Sequence, residues 1–195
     1  MTPRVLMLLA VAVVCAGCAS PRASFYRLSP DAASDTAGAS AIQQAVIVGP
    51  VTVPELVDRP QIVTRSTNNE IAINEYARWG EPLKSGIADA IAGNLGLMLG
   101  SDRVAVASRA PADARAWRVR IDIQQFESVP GEAVVIDARW SVRRDNDGST
   151  ASNASGRTFV REPVNGGDTA ALIAAHDRAL AKVSRDIAAA IRNNH

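Results

Sequence analysis

The chain has 195 residues, 47% of them hydrophobic and 21% charged, with a formal net charge of +1 at neutral pH. That balance leaves no basic excess of the kind on which nucleic-acid binding depends, and the only histidines, His176 and the terminal His195, lie far along the chain from the cysteine pair, without the spacing of a tetrahedral zinc site. A chain of this size buries about 70% of the surface that its unfolded form exposes, so a single core suffices without covalent staples.

Both cysteines fall in "VVCAGCASPR", residues 13–22, as Cys15-Ala-Gly-Cys18. A redox C-x-x-C opens a helix after a strand, where the helix N-terminus lowers the thiol pKa. This pair instead ends an N-terminal apolar run. Before it stand Met1-Thr-Pro-Arg4, with one positive charge, and "VLMLLAVAVV", the n-region and h-region of a secretory signal peptide. A helix of that run rises only ~15 Å and cannot cross the roughly 30 Å core of a bilayer. A signal peptide over 1–17, a tether over 18–23 and a folded domain over 24–195 are expected. "CAGC" resembles the lipobox of bacterial lipoproteins, with Cys15 where an aliphatic residue is usual. The resemblance implies that Cys18 becomes the first residue and carries diacylglycerol on its sulfur and a further acyl chain, such as palmitate, on its amine. Each buried CH₂ contributes ~0.8 kcal/mol and one chain alone binds marginally, so several chains make a stable anchor. Loss of 1–17 removes Arg4 and Cys15, which leaves cations and anions equal in number and no free thiol.

"SFYRLS" (24–29) reads as a first strand, followed by a turn-rich loop "PDAASDTAGASA". "AVIVGPVTVP" (45–54) reads as a buried strand bent or bulged at Gly49-Pro50. "RPQIVTRS" and "EIAINEYARW" follow as two strands joined by "TNNE". From Pro82, the apolar residues Leu83, Ile87, Ile91, Leu95 and Met98 predict a helix that Gly100 ends. "DRVAVAS" is a short strand. In "AWRVRIDIQQFES", Trp117, Val119, Ile121 and Ile123 alternate with polar neighbours, and "GEAVVIDARWSVRR" repeats the alternation, which predicts strands with one buried face. "ASGRTFVREPV" completes an antiparallel meander. A second amphipathic helix, "DTAALIAAHDRALAKVSRDIAAAIRN", closes the chain. The order ββββ-α-ββββ-α predicts a single α+β domain: an antiparallel or mixed sheet of about six to eight strands with two amphipathic helices on one face.

Chemistry is sparse. His176 is the sole internal histidine and lies beside the apolar stripe of the last helix, which marks it as packed or helix-surface rather than catalytic. Ser184 lacks the G-x-S-x-G context of a nucleophile. Asp122, Asp137 and Glu127 sit in strands with arginines opposite, the pattern of cross-strand ion pairs. "GNLGLMLG" is no phosphate loop, because its glycines lie within a helix, where Gly93 and Gly96 permit close packing on the sheet. Catalytic residues, metal ligands and cofactors are therefore all read as none. The segment "VPELVDRPQIVTR" (53–65) stands out as a rigid, shaped loop between Pro54 and Pro60. Downstream, "YARWGEPL" places Arg78 and Trp79 just before a helix. In a purely structural reading Trp79 plugs the core, and Asp58 and Arg59 satisfy local turn hydrogen bonds.

"FYRL", "VPELVDRPQIVTR", "RWGEPLKSGIADAIAGNLGLML" and "LIAAHDRALAKVSRDIAAAI" together resemble the PqiC (YmbA-like) family, the ABC-type transport auxiliary lipoproteins, over residues 24 to about 191. The resemblance implies a non-enzymatic auxiliary subunit of an MCE-type intermembrane lipid transport system. It would be held to the outer membrane by its acyl chains and face the periplasm. The implied partner is an MCE-domain tunnel protein (PqiB-like), with a ring-shaped homo-oligomer as one form of assembly. In the sorting rule of enteric bacteria an aspartate after the lipidated cysteine retains a protein at the inner membrane; Ala19 and Ser20 follow here and favour the outer membrane. Leu56, Val57, Asp58 and Arg59, with Arg78 and Trp79 in support, are the expected partner-binding residues. The alternative is a stand-alone structural or assembly lipoprotein of the envelope.

Overall fold

The computed structural model describes residues 22–31, 42–67, 69–110, 116–144 and 153–194. The signal peptide, Cys18, most of the loop after the first strand and most of the turn "DNDGSTASN" lie outside them. Among the described residues, eight strands and two α-helices follow the expected order: β1 (Ser24–Tyr26), β2 (Ala45–Thr52), β3 (Gln61–Arg65), β4 (Ile71–Trp79), α1 (Leu83–Leu99), β5 (Val104–Val106), β6 (Ala116–Val129), β7 (Ala133–Arg144), β8 (Asn153–Pro163) and α2 (Thr169–Asn193).

The strands divide between two sheets rather than one. In the five-stranded sheet, β5-β2-β6-β7-β8, the β2 strand runs parallel to both β5 and β6, and β6-β7-β8 form the expected antiparallel meander. The ladder of β2 with β6 shifts between Val48 and Val51, so Gly49-Pro50 is the expected bulge. Gly49 has φ +120°, and a Cβ there would come within 3.3 Å of the Ala107 Cβ. Only glycine takes that backbone without strain.

Both helices pack against this sheet and each other, α1 on β2 and β5, α2 on β6, β7 and β8. The alternating residues Trp117, Val119, Ile121 and Ile123 are buried, as are Leu83, Ile87, Ile91, Leu95 and Met98 of α1 and Leu172, Ala175, Ala179, Val183 and Ile187 of α2. Each such side chain contributes roughly 1.5–3 kcal/mol against exposure if aliphatic and large. Gly100, at φ +60°, ends α1 by donating its N–H to the Gly96 and Leu97 carbonyls. Asp168 caps α2 by accepting the Ala171 N–H at 2.8 Å. Gly93 does make room, though for a different neighbour than the sheet: a Cβ would meet Pro30 at 2.3 Å. The segment after β1 crosses both helices here, with Asp31 N–H donating to Asn94 and Ser29 N–H to Asp177, each at 2.9 Å.

The three-stranded sheet has the order β1-β4-β3, with β1 parallel and β3 antiparallel to β4. Gln61 pairs with Arg78 but Ile62 pairs with Asn74, so β4 carries three extra residues at a bulge. The Asn74 side chain builds it, accepting the N–H groups of Tyr76 and Ala77 at 2.9 and 3.0 Å. An odd number of extra residues reverses which face each side chain takes. Ala77 and Trp79 therefore turn into the core, whereas Ile71 and Ile73 lie on the opposite face, 45% and 39% exposed.

Candidate functional site

After β2, Pro54 opens a short 3₁₀ turn, Glu55–Val57, closed by the Val57 N–H on the Pro54 carbonyl at 3.1 Å and the Asp58 N–H on the Glu55 carbonyl at 3.2 Å. The tight turn drives Val57 into the core and leaves Leu56 44% exposed. Asp58 reaches across to α1, its carboxylate 2.7 Å from Lys84 Nζ. Both groups of that pair face solvent in part, so its energy is small, under about 1 kcal/mol, and its effect is to fix the turn against the helix. Trp79 donates its backbone N–H to the Pro60 carbonyl and Gly80 donates to the Tyr26 carbonyl, both at 2.7 Å. These bonds clamp the turn, β4 and β1 together.

Between Asp58–Pro60 and Trp79–Leu83 lies an open cleft of about 400 Å³ with mainly apolar walls. Arg59 lines it, and its Nε is shielded from solvent without a hydrogen-bond partner among the described residues. An unsatisfied donor of that kind costs free energy that an incoming acceptor would recover. The cleft thus combines mainly apolar walls with the Arg59 guanidinium and the carboxylates of Asp58 and Glu81. Its two carboxylates are both tied to cations, Asp58 to Lys84 at 2.7 Å and Glu81 to Arg27 at 4.0 Å.

The structure separates the six expected binding residues. Leu56, Asp58 and Arg59 present themselves on one rigid turn. Val57, at 7% exposure, belongs to the core and offers nothing to a partner, because the turn that exposes Leu56 buries its neighbour. Trp79 is also 7% exposed; it walls the cleft and makes edge contacts with Phe126 and His176 at ring centroid distances of 6.4 and 6.2 Å. Arg78 lies on the opposite face of β4 from Trp79, its guanidinium bonded to the Glu75 carbonyl at 3.0 Å and carboxylate at 3.1 Å. It stands outside the cleft.

His176 is fully buried, stacked on Phe126 at 4.4 Å, with Nε2 2.8 Å from Ser128 Oγ. Burial pushes its pKa down to about 3, so the ring is neutral at physiological pH. Next to it, burial raises the Asp177 carboxyl to about 6, with Asp31 adding to the rise and the Ser29 N–H and Arg178 opposing it. Asp137 pairs with Arg157 across β7 and β8 at 2.7 Å, and that hydrogen-bonded guanidinium holds its pKa low. Glu127 pairs with Arg65 of β3 at 3.2 Å, bridging the two sheets, while Asp122 accepts from Thr52 at 2.5 Å and from Gln124 at 2.7 Å. Glu162 is held by Lys182 at 2.5 Å and Arg178 at 2.7 Å. Burial alone would raise its pKa, but these two bonds outweigh it and the net shift is downward. All are structural ties. Among the described residues no cluster of three histidine, cysteine or carboxylate groups is arranged to hold a metal ion, and no helix is long and apolar enough to cross a membrane.

The exposed apolar residues Phe25, Ile71, Ile73 and Tyr76 escape sequence reasoning, because in a strand such residues look like core. Asn74 at the middle of β4 was the available signal, since asparagine favours bulges and turns over strand interiors.

Fold and cleft together define an α+β domain with an open, mainly apolar cleft beside the Glu55–Val57 turn. The chain matches the family model described as ABC-type transport auxiliary lipoprotein component over residues 26–188, and it belongs to that family. It is a family of transport accessory lipoproteins, not of enzymes. Among solved structures, an uncharacterized protein shares the fold at 17% identity and a TM-score of 0.68, over 87% of this chain and 99% of its own. A Xanthomonas campestris protein of the DUF330 family shares it at 21% identity and a TM-score of 0.58, over 85% and 93%. The PelC dodecamer of Paraburkholderia phytofirmans is a remote likeness at 13% identity and a TM-score of 0.37, over 82% and 95%. None of the curated proteins matches the chain.

Proposed function

We propose that the protein is a periplasm-facing lipoprotein, anchored to the outer membrane through acyl chains on Cys18, that serves as auxiliary subunit of an MCE-type intermembrane lipid transport system. It acts by protein–protein binding, with an MCE-domain tunnel protein as partner. The observation that carries this reading is membership, over residues 26–188, in a family of transport auxiliary lipoproteins. The lipobox-like "CAGC" supports the anchor, and Ala19 and Ser20 support outer-membrane sorting.

The binding element in this reading is the turn carrying Leu56, Asp58 and Arg59, beside the cleft that Arg59 and Trp79 line. An apolar partner side chain fills the cleft, and a partner carboxylate or carbonyl accepts from Arg59. The test is the double substitution Asp58→Ala with Arg59→Ala, assayed for co-purification of the tunnel protein and for thermal stability. Lost association with an unchanged melting temperature is expected. A collapsed melting temperature assigns the two residues a structural role and contradicts the assignment.

A further inference from the structure

We infer that the face of the three-stranded sheet carrying Phe25, Ile71 and Ile73, with Tyr76 from the adjoining bulge, lies against the membrane surface and seats its apolar side chains among phospholipid headgroups. The inference rests on acylation of Cys18. At no more than ~3.6 Å per residue, the chain from Cys18 to Phe25 reaches at most roughly 25 Å. The α2 helix alone, with 25 residues, is ~37 Å long. The anchor thus holds β1 within roughly 25 Å of the bilayer, a distance shorter than α2 is long, so the β1 end of the domain stays near the membrane.

That end is where exposed apolar side chains gather. Phe25 is 68% exposed, Tyr76 51%, Ile71 45% and Ile73 39%. Register places Phe25 beside Arg78 and Ile73 opposite Val63, on the side of the sheet away from Ala77 and Trp79. Exposed apolar groups gathered on one small sheet mark an interaction surface, and Phe25 and Tyr76 suit the headgroup boundary, where an apolar ring and a phenol are both accommodated. Arg22, just before β1, is exposed and adds attraction for anionic headgroups, while Arg27 after it is paired with Glu81 at 4.0 Å.

The experiment uses the full acylated protein, reconstituted in phosphatidylcholine vesicles with and without phosphatidylglycerol. Phe25→Cys and, as control, Phe159→Cys on β8, itself 60% exposed, each supply a single thiol for an environment-sensitive fluorophore. Brominated lipid quenches a fluorophore that touches it. With acyl mass present on Cys18, loss of most emission at position 25 and none at position 159 is expected. Acylated protein whose position 25 is unquenched, or quenched no more than position 159, overturns the inference while leaving the anchor intact. Copy-to-copy crosslinking at position 25 without quenching overturns it in favour of a homo-oligomer interface. Absence of acyl mass overturns the anchor reading, and the membrane face with it.

Discussion

His176 offers a clean test of how burial shapes stability. Its ring is fully enclosed among Phe126, Trp79 and Ser128, and burial holds the pKa at about 3 against an ordinary value of 6.5. The native state therefore keeps the ring neutral, while the unfolded chain takes up a proton as pH falls through 6.5. Stability from this group is complete above pH 6.5 and is lost between 6.5 and 3, at ~1.4 kcal/mol per pH unit. From pH 7 to pH 5 the loss comes to about 2 kcal/mol. Asp177 works in the other direction. Its folded pKa of about 6 exceeds the ordinary 3.8, so the native state binds a proton that the unfolded chain does not, and stability rises as pH falls from 6 toward 3.8. Solvent screens this partly exposed carboxyl, which limits its compensation to below about 1 kcal/mol. Substituting His176→Gln keeps a side-chain group for Ser128 and removes the titration. Urea unfolding followed by tryptophan fluorescence at pH 7 and pH 5 should show the native sequence losing about 2 kcal/mol more than the variant over that interval, a difference near 1 M in midpoint at ordinary m-values. Equal pH responses, or a histidine that titrates near 6.5 in the folded protein by NMR, would refute the reasoning.

Four further outcomes follow from packing and charge. Gly156 lies opposite Trp140 in the ladder, and a Cβ there would meet the indole at 2.3 Å; Gly156→Ala should lower stability by about 1–3 kcal/mol in thermal melts, because it displaces the ring whose Nε1 donates to Thr158 at 3.0 Å. Glu162→Gln leaves Lys182 and Arg178 without their buried carboxylate and should cost about 1–3 kcal/mol at pH 7, measured by urea titration. Trp79→Ala should cost about 3–5 kcal/mol by opening the core beneath the cleft, whereas Leu56→Ser, on the exposed tip of the turn, should leave the melting temperature unchanged.

Local pattern carried most of the elements. Pro82 and Gly100 bracket α1 as expected, and the period-two alternation of Trp117 to Ile123 does mark a buried face. Alternation says which side of a strand is apolar but not which strand lies beside it. That is why the pairing of β1 with β4 and of β2 with both β5 and β6, all parallel and distant in sequence, was not legible, and the two sheets read as one. The exposed isoleucines have the same origin: the bulge that Asn74 builds reverses the faces of β4 midway, so Ile71 and Trp79 share parity in sequence yet point apart. At the candidate site, the two prolines revealed a rigid turn. Which of its residues the turn buries depended on the 3₁₀ geometry that sends Val57 inward and Leu56 outward.

The most direct test of the proposed role is crosslinking in intact cells, followed by detergent extraction and mass identification of what travels with the protein. An MCE-domain protein linked near Leu56, Asp58 and Arg59 is the expected result. Recovery of envelope components alone, with no MCE-domain protein among them, would contradict it and favour a stand-alone envelope lipoprotein.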